Sequence, residues 1–177
     1  MQKPTEEDLV QASCLCNSHS FSVPAHKIRF GFASCHCSVC RQSHAAPFVM
    51  WAGMNADAST PDIFKVVSTA GSPPLTCYRS SSCCSRYFCS TCGTHLYIKY
   101  DDPLVCPERW AGEVHFPTAL VDPISLQHLE EAVQKAERPR YLHVFYSDRH
   151  GCMGSLQDWA GATKFGGTTG LEALTDT

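Results

Sequence analysis

Seven of the chain's 12 cysteines fall into three short groups whose spacings suit metal binding. The groups have the forms C-x-C, C-x-C-x-x-C and C-x-x-C, and they comprise Cys14, Cys16, Cys35, Cys37, Cys40, Cys89 and Cys92. Residues two apart on an extended strand point to the same face, so a C-x-C pair can hold a single ion. A C-x-x-C segment turns tightly around its metal, and Gly93 after the second cysteine permits a positive φ there. These spacings predict zinc-thiolate sites.

The number of ligands divides the seven cysteines into two different sites. Structural zinc takes four tetrahedral ligands with no open position, whereas catalytic zinc keeps one position for water or substrate. One C-x-C pair and the C-x-x-C pair complete a structural set, formed by Cys14, Cys16, Cys89 and Cys92. The other group supplies only three ligands, Cys35, Cys37 and Cys40. We therefore expect two zinc ions per chain, with the catalytic residues at the three-cysteine site.

Two other interpretations of these cysteines remain open. Disulfides are disfavoured by a reducing cytosol, and three cysteines at the second site would leave one thiol over. Two purely structural zinc sites would require a histidine as the eighth ligand, for which His36, His44 and His95 are candidates. The five cysteines without ligand spacing are interpreted as small buried or exposed residues. They are Cys77, Cys83, Cys84, Cys106 and Cys152.

Three thiolates determine which chemistry the second zinc could support. Their negative charges make the ion a poor Lewis acid for carbonyls or water. A substrate thiol bound as the fourth ligand would nevertheless lose its proton and stay nucleophilic at neutral pH. The expected reaction is addition of a thiol to a carbonyl, or the reverse. Arg41 could balance the charge or bind a carboxylate, and Trp51 or Phe48 could form an apolar wall of the substrate site.

Alternating apolar and polar residues predict a mainly β domain around these sites. The expected strands cover residues 20–23, 28–32, 47–52, 63–67, 75–79 and 141–146, and residues 87–98 form a strand, a metal-binding turn and a strand. One short helix is expected over residues 125–137, where Leu126, Leu129 and Val133 recur at helical spacing. A length of 177 residues suits one domain. We expect a flexible N-terminus over residues 1–10, the zinc domain over 11–160 and a flexible Gly/Thr-rich tail over 161–177, with Trp159 as the last residue of the pattern.

Charge and hydropathy argue against two classes of partner, nucleic acids and membranes. The net charge is −3 and the basic residues are scattered, whereas nucleic-acid binding needs a clustered Lys/Arg stripe. Its apolar runs are far shorter than the ~20 residues that cross a bilayer. The first residues show no apolar region of a signal peptide. We therefore expect a cytoplasmic protein without nucleic-acid or membrane partners, for which a homodimer stays open.

The order and spacing of these residues resemble the glutathione-dependent formaldehyde-activating (Gfa) family, also called centromere-protein-V-like. The resemblance extends from about residue 14 to 159 and rests on Cys14-x-Cys16, Cys35-His36-Cys37-Ser38-x-Cys40-Arg41, Trp51 and Arg86-x-Phe88-Cys89-x-x-Cys92-Gly93-Thr94-x-Leu96. It implies an Mss4-like (β-tent) fold with zinc at both cysteine sets. It also implies carbon–sulfur lyase activity that joins glutathione and formaldehyde to S-(hydroxymethyl)glutathione.

We consider three functions for this sequence. The first is a zinc-dependent carbon–sulfur lyase acting on a glutathione-like thiol adduct of formaldehyde or of another carbonyl metabolite. The second is a non-catalytic zinc module that binds another protein, because Mss4-like folds are also used in that way. A complete four-ligand set at the second site would favour the module. A chromatin role is disfavoured by the lack of a basic, Pro-rich N-terminal segment.

Overall fold

Ten β-strands and two α-helices form the described part of the chain. The computed structural model describes residues 8–55, 64–101, 104, 106, 110–136, 141–151 and 164. The strands are β1 (Leu9–Ser13), β2 (His19–Pro24), β3 (Ile28–Cys35), β4 (Val49–Asn55), β5 (Lys65–Ser68), β6 (Thr76–Arg79), β7 (Cys84–Phe88), β8 (His95–Tyr100), β9 (Glu113–Pro117) and β10 (His143–Val144). The helices are α1 (Ser38–His44) and α2 (Leu126–Lys135).

The strands form two sheets. The smaller sheet has the order β1-β2-β5, and the larger has the order β10-β3-β4-β9-β8-β7-β6. All pairings are antiparallel except that of β10 with β3. The predicted mainly β architecture is confirmed, including the strand-turn-strand unit that carries Cys89 and Cys92.

The larger sheet has a different core on each face. Side chains alternate between the faces of a strand, and β4 shows the consequence. Ala52 and Met54 belong to a core shared with the smaller sheet and with α2. Trp51 belongs to a second core that also contains Cys35 and Cys40. The three-cysteine group therefore lies on the face opposite to α2.

An irregularity in β3 directs its second half toward this second core. The pairing register with β4 shifts on both sides of Phe30, and Phe32 has a left-handed φ of 56°. Such shifts rotate a strand and change which residues share a face. Phe30, Ala33 and Cys35 consequently all contribute to the second core. Gly31 lies so close to Val133 of α2 that a Cβ atom would clash with its side chain.

The expectation of a single helix is wrong, because α1 is a second one. The helix predicted over 125–137 is confirmed as Leu126–Lys135, and Asp122 Oδ1 accepts hydrogen bonds from the Ile124 and Ser125 amides at 3.0 Å. Helix α1 has seven residues and Cys40 is its one buried residue. So short a helix with one buried position leaves no helical period in the sequence.

The remaining differences concern two strands that the sequence did not predict, β1 and β9, and the length of the last strand. Strand β1 begins at Leu9, where the sequence predicted no strand, and the predicted last strand shortens to β10 because Phe145 takes a left-handed φ of 54°. Residues 1–7, 63, 137 and 152–163, with Cys152 and Trp159, lie outside the described residues, as does the tail except Lys164. Within the described ranges, no helix is long and apolar enough to cross a membrane.

Candidate metal centres and the adjoining cavity

The four-cysteine group joins two hairpin turns that come from different sheets. Cys14 and Cys16 lie in the turn between β1 and β2, and Cys89 and Cys92 lie in the turn between β7 and β8. The Cys16 sulfur lies 3.5 Å from that of Cys14 and 3.7 Å from that of Cys89. Four sulfurs at ~2.3 Å around a tetrahedral zinc ion are about 3.8 Å apart. The group therefore fits one zinc ion that would hold the two sheets together.

Backbone hydrogen bonds in both turns fix the positions of the cysteines. Gly93 has a φ of 74°, and its amide donates to the Cys89 carbonyl oxygen at 2.9 Å. In the other turn the His19 amide donates to the Cys14 sulfur at 3.3 Å. Burial raises the pKa of Cys14 to about 11, so this sulfur needs a cation to remain a thiolate at neutral pH. A bound zinc ion would supply that charge.

The three-cysteine group lies where β3 passes into α1. Cys35 ends β3, Cys37 caps the N-terminus of α1, and Cys40 is buried within this helix. The Cys37 sulfur accepts a hydrogen bond from the Cys40 amide at 3.4 Å, and the three sulfurs lie within 4.8 Å of one another. No other described His, Cys, Asp or Glu joins this group. The donor set fits a zinc ion with three protein ligands.

The group favours a thiolate even without a metal. Hydrogen bonds from the Cys35 and Cys40 thiols lower the pKa of Cys37 well below its usual range, with further stabilisation from the Cys40 amide and Arg86. Hydrogen bonding to Cys37 and then to Cys40, together with burial, raises the pKa of Cys35 well above its usual value. One negative charge is therefore already concentrated where a cation would bind.

The guanidinium beside this group belongs to Arg86 and not to Arg41. Arg86 is 4% exposed, and its Nη2 donates to the Cys40 sulfur at 3.7 Å. Although burial opposes the charge, its interactions with Cys40 raise the pKa of Arg86. Arg41 instead donates through Nε to the His36 carbonyl oxygen at 2.9 Å and does not line the cavity described below. The role predicted for Arg41 stays a prediction, whereas Arg86, which the motif resemblance included without a role, is the arginine that contacts a sulfur of this group.

Replacing Arg86 by Gln is expected to weaken metal binding at the three-cysteine site by about 10- to 100-fold, the usual effect of losing a hydrogen bond to a ligand. Arg41→Gln is the matched control, because its contact is to a backbone carbonyl. Competition with a chromophoric chelator would measure both affinities. Equal losses in the two variants would mean that Arg86 does not act through the Cys40 sulfur.

A cavity of about 230 Å³ adjoins the three-cysteine group. Cys35, Cys37 and Cys40 line it, whereas none of the four cysteines in the other group does. Trp51 also lines the cavity, and its role as an apolar wall of a substrate site stays a prediction. Phe48 does not line the cavity, and it packs against the His36 ring with the centroids 5.4 Å apart. The two groups thus differ in access to a small molecule as well as in ligand number.

His115 on the cavity wall is a residue that the sequence reasoning missed. Its Nε2 atom donates a hydrogen bond to Glu113 Oε2 at 2.7 Å. Both side chains project from the same face of β9, and Glu113 is 1% exposed. No hydrogen bond joins Nδ1 of this ring to another described residue. The Glu-x-His spacing within a strand was the signal in the sequence, but only the fold shows that His115 faces a cavity.

The three histidines considered from the sequence lie elsewhere. His36 Nε2 lies 2.7 Å from His143 Nδ1, and the His44 and His95 rings pack together with centroids 4.7 Å apart. Burial lowers the pKa of His36 and of His44 to about 4, so both rings are neutral at pH 7. None of the three lines the cavity or joins the sulfur group within the described ranges.

Comparison with known proteins agrees with the motif resemblance. The family model described as "Glutathione-dependent formaldehyde-activating enzyme" matches residues 9–129, which contain both cysteine groups. The sequence is 22% identical to that of a Rhodobacter sphaeroides protein whose crystal structure is known. The match covers 66% of this chain and 94% of that chain, with a TM-score of 0.42. No protein with a curated description matches the sequence significantly. The chain belongs to the glutathione-dependent formaldehyde-activating enzyme family.

Proposed function

We propose that the protein is a zinc-dependent carbon–sulfur lyase that adds a thiol reversibly to a carbonyl compound. The observation that carries this proposal is the position of the three-cysteine group on a cavity wall, while the four-cysteine group lies away from that cavity. The family description, which names glutathione and formaldehyde, supports a thiol and a carbonyl compound as the two reactants. We also propose a cytoplasmic location, because thiolate clusters persist in a reducing compartment.

The chain's own residues would hold the ion and shield the reacting atoms from water. Cys35, Cys37 and Cys40 would be the protein ligands, and Arg86 would offset part of their negative charge. When bound, zinc would keep the substrate sulfur as a nucleophilic thiolate. The apolar wall around Trp51 lowers the local dielectric and strengthens the electrostatic interactions within the site.

His115 is the group that we assign to proton transfer. In the addition, a sulfur lone pair forms the C–S bond, the carbonyl π pair moves to oxygen, and that oxygen gains a proton. His115 would take the thiol proton at Nδ1 and deliver it to the oxygen, and the reverse reaction uses the same path. Glu113 accepts the Nε2–H bond, which leaves Nδ1 as the basic nitrogen and stabilises the ring when it is protonated.

Cobalt substitution tests the open position directly. We expect two metal ions per chain, and added thiol should change the absorption of only one of them. Cys37→Ser should abolish the thiol-dependent change, whereas Cys77→Ser, an exposed cysteine outside both groups, should retain it. Two fully coordinated ions that do not respond to thiols would instead support the non-catalytic protein-binding module.

A further inference from the structure

The cavity beside the three-cysteine group is mainly apolar in its described lining. Aromatic and aliphatic side chains form most of it, including Phe30, Trp51, Ile98, Trp110, Leu142 and Phe145. Such walls favour a ligand that buries apolar surface. A ligand with several charged groups would lose hydration here and gain few partners.

Charged side chains are scarce on the same wall. Among its described lining residues, Arg86 is the one Lys or Arg, and no Asp or Glu is present. Arg86 is already directed to the Cys40 sulfur and to Ser43 Oγ, 3.7 and 3.3 Å from its Nη atoms. Glutathione carries two carboxylates and an ammonium group, which require charged or multiple hydrogen-bonding partners when they are desolvated. The described wall offers no second cation for these carboxylates.

The size of the cavity also exceeds what formaldehyde needs. A cavity of about 150 Å³ lined by Leu, Ile and Phe stays dry and binds benzene, whereas one water molecule occupies about 30 Å³ of liquid. The present cavity of about 230 Å³ accommodates a substituted aromatic ring or a branched aliphatic chain. Formaldehyde has only two non-hydrogen atoms and would leave most of this volume unfilled.

We propose that the substrate carries an apolar group of the size of a benzyl or branched aliphatic substituent, which occupies this cavity. The proposal rests on the proposed thiol–carbonyl chemistry and specifies its substrate class. The substrate sulfur lies at Cys35, Cys37 and Cys40, the carbonyl oxygen lies toward His115, and the apolar group contacts Phe30, Ile98 and Leu142. Selectivity then comes from the apolar group of the substrate and not from the glutathione peptide.

Tryptophan fluorescence of the zinc-loaded full chain tests this assignment, because Trp51 and Trp110 line the cavity. Three probes distinguish the contributions of the apolar group, the thiol and the glutathione peptide. They are benzyl mercaptan, toluene as its analogue without sulfur, and glutathione. Benzyl mercaptan is expected to bind at least tenfold more tightly than glutathione, and toluene is expected to bind with measurable affinity. Zinc content measured after each titration excludes extraction of the metal.

The outcomes test two claims separately: that the substrate carries an apolar group, and that its thiol binds at the metal. If toluene binds as tightly as benzyl mercaptan, the apolar occupant is supported while thiol binding at the metal is contradicted. If glutathione binds more tightly than benzyl mercaptan and toluene does not bind, the apolar substrate class is overturned. A cobalt spectrum that still responds to glutathione would then leave the thiol chemistry intact.

A cavity-filling variant locates the binding site. Ala33 lines the cavity, so Ala33→Leu should reduce toluene and benzyl mercaptan binding by tenfold or more. Ala70→Leu adds the same atoms at an exposed position in the turn after β5 and should bind both probes like the wild type. Unchanged binding by a folded Ala33→Leu protein would place the ligands elsewhere and overturn the proposal. The selectivity of the unmodified protein decides the substrate class even if this variant does not fold.

Discussion

Cys89→Ser is expected to prevent stable folding at 25 °C, whereas Cys37→Ser is expected to leave a folded protein without lyase activity. Structural zinc supplies about 10–16 kcal/mol of apparent binding free energy in zinc-finger peptides, comparable with the whole stability of a domain at about 5–15 kcal/mol. Cys89 is fully buried and belongs to the group that joins the two sheets. Loss of this ligand therefore removes a connection on which both sheets depend.

Cys37 differs from Cys89 in the structural role of its side chain. It caps α1 through its side chain, and serine is among the preferred residues at such a cap. Cys37→Ser should therefore preserve α1 while it removes one of three ligands on the cavity wall. Urea unfolding and metal analysis would measure the two effects, with Cys77→Ser as the control outside both groups. Equal destabilisation by Cys37→Ser and Cys89→Ser would contradict the division into a structural and a catalytic site.

The sequence predicted those features whose cause is local. Ligand spacing depends on a few neighbouring residues, so the grouping of Cys14 and Cys16 with Cys89 and Cys92 could be inferred by counting ligands. The alternation that predicted most strands and the helical spacing of Leu129 and Val133 are also local patterns. Helix α1 lacked such a pattern, because its formation depends on the Cys37 cap and on its buried Cys40.

The remaining site residues depend on contacts that sequence spacing does not reveal. Arg86 approaches Cys40 from β7, 46 positions along the chain, whereas Arg41 adjoins Cys40 only in sequence. His115 reaches the cavity because β9 lies between β4 and β8 in the larger sheet. The strand order and the irregularity near Phe32 thus determine which residues surround the cysteines.

Proton transfer at the cavity provides the second large expected effect. His115→Gln should lower kcat by a factor of about 10²–10⁴, the usual contribution of a positioned general acid or base. Glu113→Gln should cause a smaller loss in kcat, because the ring remains but its orientation and charge stabilisation are weakened. Steady-state kinetics with a zinc-loaded protein would measure kcat and KM for both variants. KM should change little, because neither substitution removes the apolar wall or a sulfur ligand.

A double-mutant cycle separates action through His115 from a structural role. Glu113→Gln should lower kcat in the wild-type background but have little further effect in His115→Gln, because Glu113 acts through that ring. His128→Gln is the matched control: this histidine lies in α2 and bonds the Leu9 carbonyl oxygen, so its kcat should match that of the wild type. If Glu113→Gln lowers kcat by the same factor in both backgrounds, Glu113 supports the fold of β9 and does not act through His115. Full activity in His115→Gln would require another proton carrier at the cavity, and the assignment of His115 would be withdrawn.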